Sequence, residues 1–150
     1  MPEVKINNIL YATDFSESSV PACDYALTLA KLTGATIHIL HVIGELIDQR
    51  RGRLMPDAFA ILEKEVQEQS VKELKIFCDR YFGEEVNMQS EIVIGNPFQE
   101  IIEHSKSINA DLVVMGTHGR TGLEHVIVGS TAERVVRKSE IPVLTVRSNS

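Results

Sequence analysis

Residues 111–137 read Asp111-Leu-Val-Val-Met-Gly-Thr-His-Gly-Arg-Thr-Gly-Leu-Glu-His-Val-Ile-Val-Gly-Ser-Thr-Ala-Glu-Arg-Val-Val-Arg137, and three kinds of segment succeed one another in them. The run at 111–115 is apolar with two adjacent valines, the composition of a buried strand. Over 132–137, Val135 and Val136 suit the inner side of a short helix. Between the two, a glycine-rich loop beginning at Gly116 leads to Gly129-Ser-Thr131 at the helix start. Glycine lets backbone N–H groups come close to an anion with no Cβ in the way. The helix start adds N–H groups that lack an intrahelical acceptor, and the positive end of a dipole. The hydroxyls of Ser130 and Thr131 can bond phosphate oxygens or face a metal. The stretch reads as a phosphate cradle.

Its spacing narrows the class. No Gly-x4-Gly-Lys-Ser/Thr occurs, so there is no P-loop lysine, and Gly116-x2-Gly119-x2-Gly122 is not the dinucleotide fingerprint. The pattern present is Gly-x2-Gly-x9-Gly-Ser/Thr, with Gly116, Gly119, Gly129 and Ser130 in its fixed places.

Outward from this stretch, strand and helix patterns alternate. Residues 6–12 form a first strand; Ser18 or Ser19 caps a helix with Pro21 in its first turn and an apolar stripe of Ala22, Tyr25, Ala26, Leu29 and Leu32, ended by Gly34. Residues 36–42 are a second strand. Pro56 starts a long helix with Leu62, Val66, Leu74, Phe77 and Tyr81 at near-helical spacing, stopped by Gly83. Residues 86–94 form a third strand. Asn96-Pro-Phe-Gln99 opens the next helix with an N-cap, a proline and a Gln at N3. Residues 111–115 and 142–147 are the fourth and fifth strands. Such alternation predicts an α/β fold: a parallel, doubly wound, Rossmann-like sheet with helices on both faces, in one domain over 1–150.

Composition sets further bounds. The net charge of −6 argues against non-specific nucleic-acid binding, which needs a basic face. Local backbone dipoles can still hold a phosphate. Hydrophobic content of 43% and charged content of 24% are those of an ordinary soluble domain. The N-terminus lacks a signal-peptide pattern, and no apolar run approaches the ~20 residues of a membrane helix. A cytoplasmic protein with no membrane or nucleic-acid partner is expected. Cys23 and Cys78, both in predicted helices and without metal-ligand spacing, read as a reduced pair, with a disulfide or redox pair as the alternative.

Four separated blocks carry a family resemblance: Ile9-Leu-Tyr-Ala-Thr-Asp-Phe-Ser16, His41-Val42, Met115-Gly-Thr-His-Gly119 and Pro142-Val-Leu-Thr-Val-Arg147. With the Gly-x2-Gly-x9-Gly-Ser motif, they make the chain resemble the universal stress protein superfamily, in its ATP-binding branch. The resemblance implies strand order 3-2-1-4-5, and so a topological switch between strands one and four. Ligands of such sheets bind outside the carboxyl ends of the strands at that switch. It implies ATP, or AMP or ADP, with Mg²⁺ or Mn²⁺ held mainly by the phosphates. Adenine would lie near Asp14 and Val42, ribose near Gly116, and phosphates over Gly119, Gly129, Ser130 and Thr131, with Ala12, Thr13, Met115 and His118 completing the expected nucleotide-binding set. It implies a homodimer through the strand at 142–147, whose outer edge is otherwise bare. The family often has a proline where this chain has Ala12.

Some of these residues have a second reading. Asp14 suits either a ribose or metal partner or a turn aspartate before the serines at 16–19. His118 sits between two loop glycines, whereas His125 reads as solvated; His38 and His41 read as edge-of-core histidines. Arg120 and the cluster Arg50-Arg51-Gly52-Arg53 suit a phosphate or partner contact or a solvated loop. No Gly-x-Ser-x-Gly elbow, carboxylate pair or activated cysteine marks a catalytic centre. A nucleotide-binding protein is therefore expected. The alternatives are a slow ATPase or phosphoryl or adenylyl transferase, and a nucleotide-free dimerisation module.

Overall fold

The β-branched runs become strands, and the segments between them become helices. The computed structural model describes residues 3–44, 56–117 and 129–148. In chain order these residues form β1 (Asn8–Ala12), a 3₁₀ turn (Glu17–Ser19), α1 (Val20–Thr33), β2 (Thr36–Ile43), α2 (Pro56–Tyr81) and β3 (Met88–Ile94). There follow α3 (Pro97–Ser107), β4 (Leu112–Gly116), α4 (Ser130–Lys138) and β5 (Val143–Val146). The strands make one five-stranded sheet in the order β3-β2-β1-β4-β5, as expected, and every pairing in it is parallel. Among the described residues, no helix is long and apolar enough to cross a membrane. His118, Gly119, Arg120, His125 and the arginines at 50, 51 and 53 lie outside the described residues.

β1 sits at the centre and is covered on both sides. Ile9 and Tyr11 face one hydrophobic cluster, which α1 and α2 close with Ala22, Cys23, Ala26, Ala30 and Phe77. Leu10 and Ala12 face a second cluster, closed by Ile101 of α3 and by Ala132 and Val135 of α4. Burying each large aliphatic side chain contributes about 1.5–3 kcal/mol. Two covered faces explain why β1 and β4 read as continuous apolar runs. Because α1 leaves β1 toward one face and α4 leaves β4 toward the other, a crevice opens above their adjacent carboxyl ends.

Several boundaries move, each for a physical reason. β1 starts at Asn8 because the Asp111 carboxylate accepts the N–H groups of Asn7 and Asn8, at 2.7 and 3.0 Å. Asp111 thus staples the entry of β1 and stands just ahead of β4. Ser19 is the residue before α1, but its hydroxyl caps no helix N–H; it donates to Ser16 O at 2.7 Å and meets Thr13 Oγ1 at 2.9 Å. The expected stripe of α1 is also rotated. Tyr25 and Leu32 are 54% and 77% exposed, and the helix beds instead on the small residues Ala22, Cys23, Ala26 and Ala30. In α2 the stripe holds at its C-terminal end, where Phe77 is buried, while Leu62 is exposed. The Asn96 cap is as expected, its side chain accepting from Gln99 N.

Candidate functional site

The turn after β1 is built from its own side chains. Thr13 Oγ1 accepts the N–H of Phe15 at 3.0 Å, and Asp14 Oδ1 accepts the N–H of Ser16 at 2.9 Å and also its hydroxyl. The Tyr11 hydroxyl donates to Ser19 O at 2.9 Å from beneath, and burial drives its pKa well above the usual phenol value. These bonds hold residues 13–19 in a tight turn over the end of β1.

Opposite stands the start of α4. Gly129 precedes it with φ −66° and ψ 157°, an extended conformation open to any residue. Its N–H is bonded to Thr117 O at 2.5 Å, and its carbonyl accepts Glu133 N at 3.0 Å. The donors free of intrahelical acceptors are therefore those of the first turn, at Ser130, Thr131 and Ala132. Gly129 lines the cavity at the start of this turn, with its own N–H already bonded to Thr117 O.

A cavity of about 320 Å³ lies between these two features, over the carboxyl ends of β1 and β4. Ala12, Thr13, Asp14, Val42, Met115, Gly116, Gly129, Ser130 and Thr131 all line it, so the structure gathers every described candidate residue at one place. Asp14 is a turn residue by its bonds to Ser16, and it also lines the cavity. The lining also includes Ser19, Leu40, Pro97, Ile101, Thr117 and Ala132, which the sequence reading did not assign to it. Leu40 had a signal, being two residues before Val42 and so on the same face of β2. Pro97 and Ile101 arrive from the start of α3, a contribution that only the packed fold reveals.

The chemistry of the cavity is mixed. Leu40, Ile101 and Met115, with Val42 packed against them, form an apolar part of the lining, while Thr13, Thr117, Ser130 and Thr131 are hydroxyl-bearing residues of the same wall. Asp14 is the only ionisable side chain among the described lining residues. No group of three or more His, Cys, Asp or Glu side chains able to hold a metal occurs among the described residues. His38 meets Asn8 Oδ1 at 3.1 Å, and His104 meets Glu91 at 2.6 Å, both away from the cavity lining. Cys23 and Cys78 are free thiols in the core under α1 and α2.

Comparison with known proteins agrees with this architecture. The model of the Universal stress protein family matches residues 5–147. Universal stress protein MJ0531 of Methanocaldococcus jannaschii is 32% identical over 142 residues, spanning 93% of this chain and 81% of its own length. Universal stress protein MJ0577 of the same organism is 31% identical over 165 residues, covering 98% and 99%. The solved structure of MJ0577 superposes with a TM-score of 0.86 at 30% identity, over 98% of this chain and 100% of that one. A universal stress protein solved in complex with cAMP shares the fold at a TM-score of 0.62 and 21% identity, over 97% and 99%. The match along nearly the whole chain, together with the sheet order, leads to one conclusion: this chain belongs to the universal stress protein family.

Proposed function

We propose that this chain is a cytoplasmic stress-response protein that binds an adenine nucleotide, ATP or its AMP or ADP form, in the cavity over β1 and β4, and acts through its nucleotide state. The observation that carries the reading is a single cavity lined both by apolar side chains, Leu40, Val42, Ile101 and Met115, and by the first turn of α4. A flat base suits these apolar side chains, beside Asp14. Ribose suits the stretch by Gly116. Phosphates suit the N–H groups and hydroxyls of Ser130 and Thr131, with Gly119 and His118 of the loop extending the cradle. The cAMP complex of a protein of the same fold is in keeping with an adenine ligand.

The described lining fits a divalent metal only as a companion of the ligand. With Asp14 as its one carboxylate, Mg²⁺ or Mn²⁺ would take most of its oxygens from the phosphates, as Mg²⁺ commonly does. Bound there, the cation would offset phosphate charge that the hydroxyls and the helix dipole neutralise only in part.

The same reading includes a homodimer through β5. The strand ends the sheet, and the carbonyls of Pro142, just before it, and of Val146 accept from Val113 and Thr117 of the β4 side, at 2.9 and 3.1 Å. By strand alternation the N–H and C=O groups of Val143 and Thr145 point outward. Antiparallel pairing with a second copy would satisfy them about a twofold axis.

Two measurements test the nucleotide reading. Mass spectrometry of small molecules released from the purified protein should show an adenine nucleotide. Protein freed of nucleotide should be stabilised by ATP and Mg²⁺ by about 2.7 kcal/mol at ligand near 100 times Kd. That corresponds to a melting shift of roughly 5–10 °C for a domain of this size. No released nucleotide and no shift at millimolar ATP would refute it.

A further inference from the structure

The turn that presents Asp14 to the cavity is fastened from the opposite face of the sheet. β2 alternates: Leu40 and Val42 line the cavity, while His41, between them, points to the side covered by α1 and α2. His41 is 7% exposed, and its Nδ1 lies 2.8 Å from Thr13 O. A carbonyl can only accept, so Nδ1 carries the proton and donates. The ring of Phe15 stacks on this imidazole, with centroids 4.2 Å apart and planes 28° apart. On its other side Phe15 meets Phe77 of α2 at 5.7 Å.

Phe15 also has φ 65°, in the left-handed region that a bulky L-residue seldom enters. Such a conformation persists only where its surroundings over-determine it. Here they do: the stack on His41, the contact with Phe77 and the bond from Phe15 N–H to Thr13 Oγ1 all favour it. Asp14 lies between the two residues so held, Thr13 by its carbonyl and Phe15 by its ring.

We infer that His41 and Phe15 are positioning residues for the nucleotide site, a latch behind the cavity that fixes the Thr13–Asp14 turn in its binding geometry. The inference rests on the nucleotide reading above. Neither side chain lines the cavity, so both act through Asp14 and Thr13. A ligand meeting a turn without the latch must order it on binding, and its affinity falls by the fraction of chains already competent.

The test measures ATP–Mg²⁺ affinity by calorimetry on nucleotide-free protein, well below each variant's melting temperature, so that lost stability alone cannot lower it. His41→Leu keeps bulk but removes the donor and should weaken binding about tenfold, near the upper end for one hydrogen bond. His41→Asn places an amide donor near the same point and should recover most of that loss. Phe15→Gly adopts the left-handed backbone without strain yet loses the ring, and should also weaken binding about tenfold. Because the two act as one unit, the double variant Phe15→Gly/His41→Leu should be little weaker than either single variant. Folded variants that bind as tightly as a binding parent overturn the latch and leave the nucleotide reading intact. So does a double variant whose losses multiply. A parent that binds no nucleotide overturns both. If His41→Leu does not fold, Phe15→Gly and His41→Asn decide the matter.

Discussion

Replacing Gly129 by valine separates the site from the fold. Its φ of −66° and ψ of 157° lie where β-branched residues are comfortable, so the substitution introduces no backbone strain. The bonds through its N–H to Thr117 O and from Glu133 N to its carbonyl are main-chain bonds and survive. Valine is a poorer N-cap than glycine, while its stiffer unfolded chain offsets part of that loss. The net change should stay within about 1 kcal/mol, a melting shift of no more than roughly 4 °C. Binding is another matter, because Gly129 lines the cavity at the start of α4, where an added branched side chain is expected to narrow it. If it denies a phosphate two charge-assisted hydrogen bonds, about 3–6 kcal/mol is lost, on the order of a hundredfold or more in affinity. In thermal denaturation with and without ATP and Mg²⁺, the parent should shift upward and Gly129→Val should not. A variant that melts cooperatively and gains as much from ATP as the parent would show that α4 begins beside the ligand without holding it.

Three further outcomes are expected. Thr145→Pro removes an outward N–H in each copy while leaving the β4 ladder whole. Losing one hydrogen bond per copy should weaken the dimer by about 1–3 kcal/mol; an unchanged dimer dissociation constant in sedimentation would refute the strand pairing. Burial, and then the neighbouring His104, hold the His38 pKa below its usual 6.5, so the unfolded chain takes up that proton first. Stability should therefore fall as pH drops through 6.5 and level off once the folded imidazole is also charged; His38→Gln should flatten that part of the melting-temperature curve, and an unaltered slope would count against it. Burial, followed by Asp24 and Cys78, pushes the Cys23 thiol up to about 12. Maleimide at neutral pH should leave Cys23 untouched until the chain unfolds, and mass spectrometry showing prompt native-state labelling would contradict that burial.

The alternation of strands and helices and the glycine loop were legible because both rest on strong local signals; the strand order, and with it the switch point under the cavity, came through the family resemblance, since segment order alone does not fix it. Apolar runs bounded by glycine and proline mark the strands, and the glycine spacing marks the loop between β4 and α4. Less legible was which side of α1 faces the core. Tyr25 and Leu32 fit a helical stripe as well as the buried residues do, and periodicity gives large side chains the greater weight. Packing reversed that weight, since a helix bedded on Ala22, Ala26 and Ala30 comes close to the sheet and leaves its bulkier flank outside. Pro97 and Ile101 were missed for a different reason: the start of α3 reaches the cavity only through the crossover from β3 to β4. The pairing of His41 with Thr13 spans 28 residues, and no spacing rule announces it.

The cavity draws its walls from both ends of the chain, with Asp14 and Ser130 more than a hundred residues apart. During synthesis at ~5–20 residues per second, the interval between emergence of the first wall and the last is on the order of ten seconds. β5 follows β4 by about 30 residues, so for a few seconds more the outer edge of β4 has no β5 beside it, and Thr117 N–H lacks the Val146 carbonyl that receives it in the finished sheet. A nascent chain halted before residue 129 has no α4 to close the pocket. A small molecule captured there would mark a chain synthesised past α4, and chains halted earlier would lack that wall of the cavity.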